Sequence, residues 1–139
     1  HGVIQHAVDE LRVAFPTATL KHHTEGTGAA CLDADRVQQI IGNLVANSVA
    51  YGDVLMPITI TSRLADTRCE VAVHNYGAVI PETLLAGLFE PMTRGTDQGS
   101  EVRSVGLGLY IVRELAKAHG GDVTVSSCEN TGTTFTVTF

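Results

Sequence analysis

The 139 residues predict a chain of α+β class built as a two-layer α/β sandwich, a mixed sheet of about five strands with three main helices packed on one face. Three observations carry that expectation. Three stretches place apolar residues at three- and four-residue spacing, the stripe of an amphipathic helix, while others place them at every second position, the mark of a strand with one buried face. The C-terminal stretch from Val123 to Phe139 holds two such alternating runs on either side of a polar turn, as a hairpin requires. An apolar content of 44% against 17% charged residues suits one globular core, and the length is that of one domain, taken as residues 1–139.

The elements follow in order. Ile4, Ala7, Val8, Leu11, Ala14 and Phe15 make the stripe of a first helix, which Pro16 closes. Thr19 to His23 and Ala29 to Leu32 are expected as two short strands, separated by the turn-prone Glu25-Gly26-Thr27-Gly28. Asp33 is placed to cap a second helix from Ala34 to about Ala50, whose apolar face is Val37, Ile40, Ile41, Leu44 and Val45 and which stops near Gly52-Asp53. Ile58 to Ser62 and Cys69 to Val73 alternate as strands, the second running into Asn75-Tyr76-Gly77. Pro81 is expected to start a short helix reaching Leu88. Met92 to Val105 has little periodic apolar content and reads as a mobile loop. Leu107, Tyr110, Ile111, Leu115 and Ala118 resume helical spacing until Gly120-Gly121 ends it.

A formal charge of −6 works against nucleic acid as a partner, because that affinity rests on lysine and arginine releasing counterions from phosphates. No apolar run approaches the roughly 20 residues that span a bilayer, so this piece is expected to make no membrane contact. Cys31, Cys69 and Cys128 form neither an even disulfide set nor a CxxC pair and read as reduced core thiols of a cytoplasmic protein. Helical periodicity is already running at His1, so the chain is expected to be a fragment of a longer parent.

Three clusters carry chemistry. Asn43 and Asn47 are one helical turn apart and share a face, although asparagine is a poor residue for a helix interior. A carboxamide oxygen suits Mg²⁺ that already carries phosphate oxygens and water; the pair equally fits amides that satisfy backbone groups or face solvent. Asn75 ends a strand, where its oxygen can accept from an adenine amino group and its NH₂ donate to a ring nitrogen, and Gly77 lets backbone approach a flat base; an ordinary Asn-x-Gly turn fits as well. Gly106-Leu107-Gly108-Leu109 follows the loop and opens the last long helix, where glycine N–H groups and the helix N-terminus favour phosphate, or form a plain hinge.

Singly these signals are weak, but their order resembles the catalytic and ATP-binding domain of sensor histidine kinases over essentially the whole chain. The run from Asp35 to Ser48, which holds Asn43 and Asn47, is similar to the N box of that family, Asn75-Tyr76-Gly77-Ala78-Val79-Ile80-Pro81 to the G1 box, Leu88-Phe89-Glu90-Pro91-Met92 to the F box, Gly106-Leu107-Gly108-Leu109 to the G2 box, and Gly132-Thr133-Thr134-Phe135 to the terminal Gly-Thr element. The resemblance implies the Bergerat ATP-binding fold, ATP and Mg²⁺ as ligands, Asn47 on the metal, Asn43 near the phosphates, and Met92 to Val105 as an ATP lid. It extends the expected ATP site to Tyr51, Asn75, Gly77, Ile80, Arg94, Arg103, Gly106, Leu107, Gly108, Leu109 and Thr133. It also implies that the acceptor histidine lies on an upstream dimerisation and phosphotransfer domain of a homodimeric parent, membrane-anchored or not, with a response-regulator receiver domain further on.

Three positions depart from the family pattern. Asn75 stands where most relatives have aspartate, Val79 where they have a second G1 glycine, and Ala50 where a basic residue is common; His-Asn-x-Gly before Ile-Pro is similar to kinases of the bacteriophytochrome kind. Arg94 and Arg103 remain as cations for the phosphates or as solvated loop charges. Hydrolytic relatives carry glutamate at the position of Asn43, which cannot take a proton, so transfer to another protein is favoured over hydrolysis. None of the six histidines has the context of a phosphoacceptor. A nucleotide sensor without turnover and a serine kinase of the anti-sigma type are the alternatives.

Overall fold

The computed structural model describes residues 2–28, 33–53, 55–66, 68–77, 80, 89 and 100–139, with residues 51, 66 and 100–107 described as backbone only. Helix α1 is Gly2–Ala14, strand β1 Leu20–Gly28, helix α2 Ala34–Tyr51, strands β2 and β3 Ile58–Asp66 and Arg68–Asn75, helix α3 Ser100–Ala118, and strands β4 and β5 Asp122–Cys128 and Gly132–Thr138. The strands form one mixed sheet in the order β1-β2-β3-β5-β4, with β1 and β2 parallel and every other pair antiparallel. This is the expected two-layer α+β architecture.

Strand alternation sorts the sheet into two faces. Inward lie Leu20, Ile58, Ile60, Cys69, Val71, Val73, Phe135, Val137 and Val123, all buried and joined in one cluster with Ile4, Ala7 and Val8 of α1, the Val37/Ile40/Ile41/Leu44/Val45 stripe of α2, and Leu109, Val112 and Ala116 of α3. Helix α2 lies between the other two and contacts both. Its ends are set locally: Asp33 accepts from the backbone N–H groups of Asp35 and Arg36 at 3.1 and 3.3 Å, and Gly52 N–H closes on Ser48 O at 2.7 Å. Outward lie polar side chains, among them Arg63, which bridges Glu25 at 2.7 Å and Glu70 at 2.5 Å across three adjacent strands. Those two hydrogen bonds hold the guanidinium pKa above its ordinary value.

Three expectations are corrected. Glu25-Gly26-Thr27-Gly28 is not a turn: β1 continues through it, paired in register with β2 as far as Gly28 opposite Asp66, because a neighbouring strand and the Arg63–Glu25 pair outweigh weak turn propensity. The awaited strand at Ala29 to Leu32 lies outside the described residues, as does the short helix from Pro81 to Leu88. The third main helix begins at Ser100 and not at Leu107, so the last six residues assigned to the lid are helical and Gly106-Leu107-Gly108-Leu109 lies inside the helix. Extending an existing helix adds one hydrogen bond per residue fixed, and about 1 kcal/mol lost per glycine does not stop it. Residues 92–99 lie outside the described set. Finally, Cys69 is buried, with burial pushing its thiol pKa up, but Cys128 is exposed, since Val123, Val125 and Ser127 take the inward positions of β4.

Candidate functional site

The inward face of the sheet changes character at one end. Beyond Val73, Phe135 and Val125, the next inward row is Asn75, Thr133 and Ser127, aligned across β3, β5 and β4 by their pairing register. Asn75 and Thr133 are buried. The hydroxyls of Ser127 and Thr133 share a hydrogen bond of 2.8 Å, and Ser127 Oγ also accepts the backbone N–H of Ile80 at 2.9 Å. Gly132 holds the row close: at φ +82° it adopts a backbone that other residues rarely take, and a Cβ there would lie 2.4 Å from Asn75 O.

Asn75 is tied to the end of α2. Its Nδ2 donates to Tyr76 O at 3.2 Å, and the same carbonyl accepts Asp53 N–H at 2.6 Å, using both lone pairs. Gly52 bridges to Gly77, and a Cβ on Gly52 would lie 2.4 Å from Ser48 O and 3.1 Å from Asn75 Nδ2. A side chain at position 52 would therefore push apart the helix end and the strand end that carries the amide.

Farther up α2, Asn43 lies against Gly108 of α3, where an added Cβ would meet its carboxamide at 3.7 Å. The Asn43 Nδ2 atom is buried with no hydrogen-bond partner among the described residues. Asn47, one turn later, is 6% exposed and not turned to solvent. One helix thus joins the N-box amides to the G2 glycine at its middle and to the G1 amide at its end. Leu109 is in the core. Arg94 and the side chains of Tyr51, Arg103 and Leu107 lie outside what is described, and Gly106 is a helical residue of α3. A crevice of about 40 Å³ between the α1–β1 connection and the end of α2 is lined by Ser48, Gly52 and Asp53 among others, but by none of the three asparagines.

Among the described residues the arrangement offers carboxamides and hydroxyls, groups suited to directed hydrogen bonds. Residues 32–139 match the family described as histidine kinase-, DNA gyrase B-, and HSP90-like ATPase. The chain belongs to that family. Within this ATPase family it is 36% identical over 138 residues to the sensor histidine kinase AtsR of Burkholderia thailandensis, covering 96% of this chain and 21% of that protein. It is 32% identical over 135 residues to the bacteriophytochrome of Pseudomonas aeruginosa, covering 96% of this chain and 18% of that protein. The chain therefore spans about a fifth of the length of these curated relatives. The solved catalytic domain of the histidine kinase ThkA superposes with a TM-score of 0.78 at 26% identity, covering 99% of this chain and 90% of that one. This is an ATPase domain of the sensor histidine kinase type. Among the described residues no helix is long and apolar enough to cross a membrane.

The sequence pattern pointed to Gly132 through the Gly-Thr element, but not to Ser127 or Gly52 as parts of this region. The inward alternation of Val123, Val125 and Ser127 was legible, but that Ser127 meets Ile80 is a contact between residues far apart in the chain, which no local pattern encodes.

Proposed function

We propose that this chain binds Mg²⁺·ATP and presents the terminal phosphoryl group to a histidine on a separate dimerisation and phosphotransfer domain of its parent, a two-component sensor kinase. The observation that carries the reading is Asn43 Nδ2, a buried donor with no acceptor among the described residues, set against Gly108 of a second helix. Leaving such a group unsatisfied costs about 1–3 kcal/mol, and a phosphate oxygen is the acceptor it lacks. Asn47 suits Mg²⁺ as the single protein ligand, since one neutral oxygen fits an ion that takes most of its octahedron from phosphates and water. When bound, the ion offsets phosphate charge during transfer.

Asn75 and Thr133 hold the base, with Gly77 and Ile80 beside them, while Tyr51, Arg94, Arg103, Gly106, Leu107 and Gly108 complete the nucleotide contacts and Leu109, buried in the core, anchors their helix. Asn43 cannot accept a proton from water, which supports transfer to an imidazole nitrogen, with ADP leaving, over hydrolysis. The parent is a homodimer with this domain in the cytoplasm, and a response-regulator receiver domain takes the phosphoryl group next. The kinase relatives, matched over 96% of this chain, support that placement over a serine kinase. Calorimetry with ATP, with and without Mg²⁺, followed by labelled ATP and the parent's acceptor helices, tests the reading. Mg²⁺-dependent binding and label on the acceptor histidine are expected; tight binding without transfer would leave a nucleotide sensor, and no binding would defeat the proposal.

A further inference from the structure

Gly77 and Ile80 flank the candidate base-binding residues Asn75 and Thr133, and each is tied to a different neighbour. Tyr76 O accepts Asp53 N–H and Gly77 bridges to Gly52, so the end of α2 fixes one side. On the other, Ile80 N–H donates to Ser127 Oγ at 2.9 Å, and Ser127 belongs to β4, the edge strand two places from β3 in the sheet. The Ser127 hydroxyl thus links Ile80 to the β4–β5 hairpin.

We infer that Ser127 is a positioning residue for the nucleotide base, acting through Ile80 and Thr133; the inference rests on the ATP-binding reading above. A serine hydroxyl has one proton and two lone pairs. One lone pair takes the Ile80 N–H, and the proton is then free to go to Thr133 Oγ1, 2.8 Å away. With that oxygen satisfied as an acceptor, Thr133's own proton remains available to a ligand acceptor beside Asn75, its partner across β3 and β5. One side chain therefore holds Ile80 and, when it donates to Thr133, leaves the proton of a buried threonine free for a ligand. Valine at position 127 keeps the volume of threonine and does neither.

The test measures affinities of the 139-residue chain and of Ser127→Ala, Ser127→Thr, Ser127→Val and, on the opposite sheet face, Ser126→Ala. Ligands are Mg²⁺·ATP and Mg²⁺·tripolyphosphate, which lacks the base. Ser127→Ala and Ser127→Val should weaken ATP binding about tenfold, the scale of one lost hydrogen bond that strands a buried partner. Ser127→Thr and Ser126→Ala should stay within about threefold, and tripolyphosphate affinity should be unchanged in all four. Equal losses for ATP and tripolyphosphate would mean general loosening and overturn the inference, as would unchanged ATP binding in Ser127→Val. Absence of ATP binding by the parent chain would instead overturn the ATP reading itself. Should the Ala and Val variants not fold, amide hydrogen exchange at Ile80 in the unmodified chain decides: it should slow on adding ATP and not on adding tripolyphosphate, and no slowing with ATP rejects the role.

Discussion

Two neighbouring rows on one sheet face do different work. In the row of Val73, Phe135 and Val125, every inward side chain is apolar and Val73 and Phe135 are fully enclosed, with Phe135 edge-on to Phe89 at 6.0 Å between ring centroids. In the adjacent row of Asn75, Thr133 and Ser127, the same backbone register carries two hydroxyls bonded to each other and an amide bonded to Tyr76 O. The first row gains by excluding water and the second by keeping directed donors and acceptors. An identical position in the pleat thus packs the core or presents polar groups according to side-chain chemistry alone.

The sharpest way to break that contrast is to truncate the apolar row. Phe135→Ala should lower unfolding free energy in urea by about 4 kcal/mol, the transfer loss plus the cavity left behind; a loss below 1 kcal/mol would show that this row does not hold the core. Next, Asn47→Ala should weaken Mg²⁺-dependent ATP binding by about 2 kcal/mol, or roughly thirtyfold, with little change in melting temperature, whereas Lys117→Ala should leave affinity unchanged. Equal affinities for the two variants would remove Asn47 from the metal role.

Asn43→Ala should separate the two currencies most cleanly. Removing an amide whose buried Nδ2 has no partner among the described residues, and improving helix propensity, should leave stability unchanged or raise it by about 1 kcal/mol, while ATP binding weakens. A loss of stability with affinity intact would make Asn43 an ordinary packing residue.

The smallest effect lies at the opposite end of the core. His22 bridges Gln5 of α1 and Ser62 of β2 at 2.7 and 2.9 Å, and burial first, then nearby positive charge, lowers its pKa. The unfolded chain therefore binds the proton more readily than the folded one. Stability attributable to His22 is complete above the ordinary histidine pKa of about 6.5 and declines as pH falls below it, levelling off only below the depressed folded value. The difference in urea midpoint between the chain and His22→Gln should shrink on going from pH 8 to pH 5; a pH-independent difference would show that His22 does not titrate in this window.

Much of this was written in local pattern. The spacing of Val37, Ile40, Ile41, Leu44 and Val45 predicts α2 and its buried stripe, Asp33 predicts its cap, and the alternation of Cys69, Val71 and Val73 predicts which face of β3 is buried, because helix and strand periodicities follow from backbone geometry that neighbours in sequence share. The five boxes likewise identified the family, since their order along the chain is itself a sequence property. Tertiary structure decided the rest. Whether Glu25 to Gly28 turned or continued depended on a strand more than thirty residues away, and where α3 began depended on cooperative extension and not on its apolar stripe. That Asn43 meets Gly108, that Asn75 is gripped by the end of α2, and that Ser127 reaches Ile80 are likewise outcomes of packing, which brings together groups whose separation along the chain carries no local signal.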